Sequence, residues 1–147
     1  MADSAAPLVT PLAGPLVLYD GDCGVCDRFV QFVLARDPAA RVRFAPLGGE
    51  TAAKVLARAP DLALADSIVL VDLDQFGTAR IFARSDAVLR ILLRLSGPWR
   101  AARVLWVVPR PLRDTAYNIF ARWRHGLSRS KRACSVPRAV DRGRFLP

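Results

Sequence analysis

The sequence predicts an α/β domain built as a three-layer sandwich, with elements in the order β-α-β-α-β-β-α and a C-terminal helical extension. Three observations point there. The apolar run Leu16–Tyr19 has strand composition and passes at once into a segment of helical periodicity. A second alternating strand and a short helix come next, and then two strands close enough in sequence to pair as a hairpin. The second strand of that pair runs into a polar residue and an amphipathic helix.

Residues 1–14 are small, proline-containing and unpatterned, and read as a flexible lead. Strand one, Leu16–Tyr19, stops at Asp20-Gly21-Asp22, which are turn and cap residues. The spacing of Val25, Phe29, Phe32 and Val33 predicts a helix from Cys23 to Ala35 with one apolar face, ended before Asp37-Pro38. Arg41–Ala45 alternates, with Val42 and Phe44 on one side, and predicts strand two. After the turn Pro46–Gly49, residues Glu50–Ala59 read as a helix with Val55, Leu56 and Ala59 as its stripe. Ile68–Val71 has the composition of a strand buried on both faces. A turn over 72–77 returns the chain as Thr78–Ala83, and Ser85 is expected to cap a helix carrying Val88, Ile91, Leu92 and Leu95. These elements define a domain over 15–96. Residues 97–147 form a basic extension expected to pack on it: a helix from Trp99 to Val108, and a second from Pro111 to Arg124. The face expected to pack holds Leu112, Ala116, Ile119, Phe120 and Trp123. The last stretch, from Ser128, is basic and carries Cys134, and Arg144–Pro147 is expected to turn back.

Composition narrows the function. A chain of 147 residues, 52% hydrophobic and 24% charged, suits one globular domain with a sizeable core. The most apolar stretch, Val88–Val108, is interrupted by Arg90, Arg94, Arg100 and Arg103, so no transmembrane helix is expected. The N-terminus lacks a secretory pattern, which makes the cytoplasm the expected compartment and disfavours a structural disulfide. The net charge of +9 is uneven. Ten basic and eleven acidic residues lie up to Leu95; twelve basic and two acidic follow. Such a tail suits a solvated helix face or an acidic partner. No helix-turn-helix, zinc-finger or base-stacking motif accompanies it, so nucleic acid is disfavoured.

The chemistry concentrates at Cys23 and Cys26. Residues three apart on a helix share a face at roughly 5–6 Å, within reach of a disulfide. The first cysteine stands where unpaired N–H groups and the helix dipole stabilise a thiolate, the species that attacks disulfides. Cys23 is therefore expected to attack, and Cys26, one turn deeper, to resolve. Asp22 caps the helix but, as a like charge, opposes the thiolate; the expected result is a reducing pair. Tyr19, Asp20, Gly21 and Gly24 are expected to shape the site, the glycines by allowing close approach. The same residues also fit chemistry of other kinds. The cysteines could pack inertly, or form half a zinc site with Cys134 and His125, whose spacing fits no known second ligand pair. His125 suits a solvated helix end. Asp20-Gly-Asp22 after a strand is also similar to the Asp-x-Asp opening of haloacid-dehalogenase-type phosphatases, which would imply phosphoryl transfer. Cys23 stands where that motif has Thr, and no later acidic pair with a suitable lysine follows. A non-enzymatic metal- or anion-binding module is the remaining alternative.

Tyr19-Asp-Gly-Asp-Cys-Gly-Val-Cys26 resembles the signature of the DCC family of thiol-disulfide oxidoreductases, named for its Asp-Cys-x-x-Cys motif, which falls here on Asp22, Cys23 and Cys26. The likeness continues through Arg43–Leu47, Asp66–Asp72 and Pro109–Asp114. It implies a thioredoxin-like fold, which the element order also matches. It implies a protein-disulfide reductase type of enzyme with no bound cofactor besides the redox-active Cys23–Cys26 disulfide and an external thiol donor. Its substrate would be a disulfide-bearing protein or a small thiol. One departure stands out. Thioredoxin-like proteins usually place a cis-proline just before the third strand, where this chain has Ala65-Asp66-Ser67 and its nearest proline is Pro60.

Overall fold

The structure is a computed structural model that describes residues 14–21, 24–58, 68–73, 79–127 and 142–147. Its strands are β1 (Leu16–Tyr19), β2 (Arg43–Pro46), β3 (Val69–Leu73) and β4 (Ala79–Ala83). Its α-helices are α1 (Gly24–Arg36), α2 (Glu50–Leu56), α3 (Arg84–Arg94) and α4 (Arg110–Leu127). The strands form one sheet in the order β2-β1-β3-β4. β1 and β2 are parallel, joined by α1 as a crossover, while β3 runs antiparallel to β1 and pairs with β4 as a hairpin. That is the thioredoxin-like arrangement.

Period-two alternation divides the core into two layers. Val17, Phe44, Ile68 and Leu70 point to one face, where they meet Cys26, Val30 and Val33 of α1 and Ala87 and Ile91 of α3. Leu16, Leu18, Ala45, Val69 and Val71 point to the other, against Ala52 and Val55 of α2. Ile68 through Val71 are buried on both sides, as their unbroken apolar composition requires.

Three local expectations need correcting. The fully buried seam of α1 is Cys26, Val30 and Val33; Val25, Phe29 and Phe32 are only half-buried at its margin. Phe32 leaves the sheet to meet Trp99 edge-to-face at 4.7 Å. Ser85 does not cap α3: the N-cap is Ala83, and the Ser85 hydroxyl donates to Asp114 Oδ1. The segment after α3 is a 3-10 helix, Pro98–Val107. Within it only Trp99 and Ala102 are half-buried, and every residue from Arg103 to Val107 is exposed.

The C-terminal segment returns to the sheet. Phe145 forms a parallel bridge with Phe44 of β2, and Leu146 N–H donates to the Phe44 carbonyl at 2.8 Å. β2 is an edge strand, and this segment covers its open side. Pro147 O accepts from Thr51 N–H at 2.9 Å, satisfying a donor in the first turn of α2. A side chain at Gly49 would meet the Pro147 carbonyl carbon at 2.8 Å, so glycine is what lets the two backbones approach.

α4 lies along α3, but by a different face from the one its apolar stripe suggests. Arg113 Nη1 donates to Asp86 Oδ1 at 3.0 Å, Asp114 accepts from Ser85, and the Tyr117 hydroxyl accepts from Ile68 N–H at 3.2 Å. Leu112, Ala116, Ile119, Phe120 and Trp123 remain exposed.

Candidate functional site

The end of β1 and the start of α1 bring Tyr19, Asp20, Gly21, Gly24 and Cys26 to one corner. β1 ends at Tyr19, Asp20 and Gly21 make the turn, and α1 begins at Gly24. Asp22 and Cys23 fall between, outside the described residues, as do Cys134 and the 59–67 stretch that holds Pro60. His125 lies in the last turn of α4 by its backbone alone, its side chain being outside the described residues.

Cys26 is the third residue of α1, in the turn where the positive end of the helix dipole lies. It is 1% exposed and belongs to the main core layer. Tyr19 at the strand end meets Phe145 edge-to-face at 6.4 Å, and its carbonyl accepts from Leu47 N–H at 2.8 Å. The returning C-terminal segment thus braces the strand that carries the turn. Asp20 and Gly21 are half-buried, whereas Gly24 is exposed at the helix start. Among the described residues, a side chain built at Gly21 would have only Pro46 Cβ within reach, at 4.0 Å, so none of them demands glycine there.

Beside Cys26 lies a cavity of about 200 Å³. Val25, Cys26 and Phe29 of α1 form one wall, Ile68 and Val88 the floor, and Tyr117, Phe120 and Ala121 of α4 the opposite wall. Its lining is apolar except for the Cys26 thiol and the Tyr117 hydroxyl, and that hydroxyl bonds Ile68 N–H. An apolar void of this order takes a group the size of one aromatic ring. Sequence reasoning missed this cavity. Phe120 stands out in the sequence only as part of a packing stripe, and Tyr117 not at all. The signal that could have found it is a lone tyrosine of α4 outside that stripe, since a tyrosine turned inward needs a partner for its hydroxyl.

Among the described residues no cluster of histidine, cysteine and carboxylate side chains could hold a metal ion, and no helix is long and apolar enough to cross a membrane.

Comparison with known proteins finds relatives along most of the chain. The chain is 32% identical over 133 residues to the uncharacterized protein YuxK of Bacillus subtilis, covering 90% of this chain and 93% of that one. It is 32% identical over 126 residues to the chloroplastic DCC family protein At1g52590 of Arabidopsis thaliana, covering 83% of this chain and 69% of that one. No solved structure matches it. Residues 17–130 match the family model described as DCC1-like thiol-disulfide oxidoreductase, and the chain belongs to that family.

Proposed function

We propose that the protein exchanges thiols and disulfides through Cys23 and Cys26, as a protein-disulfide reductase. The observation that carries this is the position of Cys26, buried in the first turn of α1 directly after β1 and bordering an apolar cavity. The family membership supports the same chemistry.

In this reading the Cys23 thiolate attacks one sulfur of a substrate disulfide. A bond forms between Cys23 Sγ and that sulfur, the substrate S–S bond breaks, and the other substrate sulfur leaves as a thiolate that takes up a proton. Cys26, having lost its own proton, then attacks Cys23 Sγ and releases the substrate sulfur bound to it. The substrate gains two electrons and the protein holds them no longer, being left with the Cys23–Cys26 disulfide. An external dithiol reduces it again. Burial of Cys26 suits the resolving role, because a shielded thiol meets the mixed disulfide before it meets solvent. In this reading Asp22, next to Cys23 in the sequence, is the carboxylate that tempers the acidity of Cys23. By the same reading Gly21 keeps the approach to the site open, because glycine adds no side chain there. The cavity accepts one apolar side chain next to the target disulfide, so the substrate is a disulfide flanked by an aromatic or branched aliphatic residue. The cytoplasm supplies the thiol donor this cycle needs.

Differential alkylation with mass spectrometry, across graded glutathione or dithiothreitol buffers, tests the proposal. Cys23 and Cys26 are expected to interconvert as a linked pair with one midpoint. Cys26→Ser is expected to trap a mixed disulfide on Cys23, and Cys23→Ser to trap none. Two thiols that remain reduced in every buffer would sink it and bring the Asp20-Gly-Asp22 phosphoryl-transfer alternative forward.

A further inference from the structure

We propose that the 3-10 segment and α4 form a docking surface for an anionic lipid bilayer. Among the described residues, every large apolar side chain that is exposed lies in 104–123. Val107 is 83% exposed, Trp123 71%, Val104 66% and Leu112 62%. These are not residues of a loosely held helix. α4 is anchored by its other side, through Arg113, Asp114 and Tyr117, so the stripe Leu112, Ala116, Ile119, Trp123 is turned outward by bonds that hold the helix in place. The 3-10 segment behaves alike: Trp99 is held on α1, while Val104 and Val107, three apart, form an outer ridge. Arg113 ties the two pieces, donating to Val108 O and standing 4.9 Å from the Trp106 ring centroid.

Charge identifies the occupant. Arg100, Arg103 and Arg122 are exposed on the same two segments as the apolar residues, while Arg110, also exposed, is paired with Asp86 at 3.3 Å and Asp114 at 3.8 Å. The one carboxylate in residues 98–127 is Asp114, whose two oxygens are taken by Ser85 and Arg110. Among the described residues of this stretch, the exposed charged side chains are thus all arginines, set among exposed apolar ones. A second copy, itself at +9, would be repelled. A nucleic acid would use the arginines and leave Val107 and Trp123 in water. An anionic bilayer uses both: the apolar side chains enter the acyl boundary, tryptophan favours the headgroup level, and arginines meet lipid phosphates. Phe120 belongs to this surface and to the wall of the cavity beside Cys26, so docking would hold that cavity at the lipid interface. The proposal is independent of the redox reading and does not need Cys23 or Cys26 to react.

The test is sedimentation of the full chain with vesicles of phosphatidylcholine alone, or of phosphatidylcholine mixed with phosphatidylglycerol, with tryptophan emission read in parallel. Binding is expected only to the anionic vesicles, with a blue shift of emission and partial loss in salt. The triple change Val104→Ser, Val107→Ser, Trp123→Ser, in exposed positions, is expected to keep the far-ultraviolet circular dichroism. Vesicle affinity in that variant should fall at least tenfold. Arg103→Gln with Arg122→Gln should lower it by a factor on the order of ten. Three outcomes would overturn the proposal. One is no binding to anionic vesicles, and another is binding that the triple change leaves intact. The third is an equal blue shift with polyglutamate in solution, which would make an acidic protein the occupant.

Discussion

Arginine is used in opposite ways by two parts of the same basic third of the chain. Arg144, in the returning segment, is 7% exposed. Its Nε donates to Val42 O at 3.0 Å, its Nη1 to Asp37 O at 3.4 Å and its Nη2 to the Asp37 carboxylate at 2.5 Å. That carboxylate also accepts from Val42 N–H at 2.9 Å, so the guanidinium and its partner close a buried network between the sheet edge and the end of α1. In the 98–127 arm, by contrast, Arg100, Arg103 and Arg122 face solvent beside exposed apolar side chains. The difference lies in what each cation is offered. A buried guanidinium stays inside only where its donors all find acceptors. One at the surface needs none, and its effect is felt at long range by whatever approaches. Composition counts both kinds alike.

Breaking the buried network should give the largest effect. Arg144→Ala leaves Asp37 buried without its cation, and the expected loss is about 3–5 kcal/mol in urea unfolding. Adding Asp37→Ala should recover part of it, because the stranded charge then disappears. A loss under about 1 kcal/mol would mean that the returning segment does not hold β2 in solution. Gly49→Ala attacks the same segment from the other side. Its methyl group would fall 2.8 Å from the Pro147 carbonyl carbon, which belongs to backbone and cannot rotate away. About 1–3 kcal/mol is expected, from displacement of the segment that caps α2.

The comparison sharpens on a single carboxylate that two arginines share. Asp86 in the first turn of α3 is met by Arg113 at 3.0 Å and by Arg110 at 3.3 Å. Their side chains are 10% and 66% exposed. Similar geometry with unequal burial should give unequal energies. Arg113→Ala also removes the donor to Val108 O, and is expected to cost about 1–3 kcal/mol. Arg110→Ala should stay within about 0.5 kcal/mol, as exposed ion pairs do. Equal losses at the two positions would mean that distance, not burial, sets the strength of this pair.

What the sequence disclosed follows the same division. Periodicity is a local property, so the order of elements, the doubly buried strand at Ile68–Val71 and the strand-to-helix junction before Cys26 were legible from it. The turning back of Arg144–Pro147 was legible too, since an apolar Phe145-Leu146 pair at the end of a basic stretch needs somewhere to go. Long-range partnership was not. The stripe Leu112–Trp123 satisfies the rule for a packed amphipathic helix, yet α4 is held by Arg113, Asp114 and Tyr117, whose partners Asp86, Ser85 and Ile68 lie 27, 29 and 49 residues away. A pattern shows that a helix has an apolar side, not which side another element claims. The cavity beside Cys26 escaped for the same reason: its lining comes from α1, Ile68, α3 and α4, and no window of sequence contains them all.

The one change expected to stabilise lies in the turn that leads from Asp37 into β2. Ala40 has φ of +50°, donates its N–H to Asp37 O at 3.0 Å, and is exposed. An L-residue in that region costs roughly 1–2 kcal/mol, and glycine would remove the cost. Glycine also frees the unfolded chain, which takes back roughly 0.4–1 kcal/mol. Ala40→Gly should therefore stabilise by roughly 0–1.6 kcal/mol, read as a rise in the urea midpoint. Its value is in combination. Arg144 bonds the same Asp37 carbonyl that accepts from Ala40, so the buried network helps hold the turn in its left-handed form. With Arg144→Ala in place the turn can relax by other means, and the gain from glycine should shrink. Additive effects would instead show the turn to be set by its own residues, with the returning segment merely resting on it.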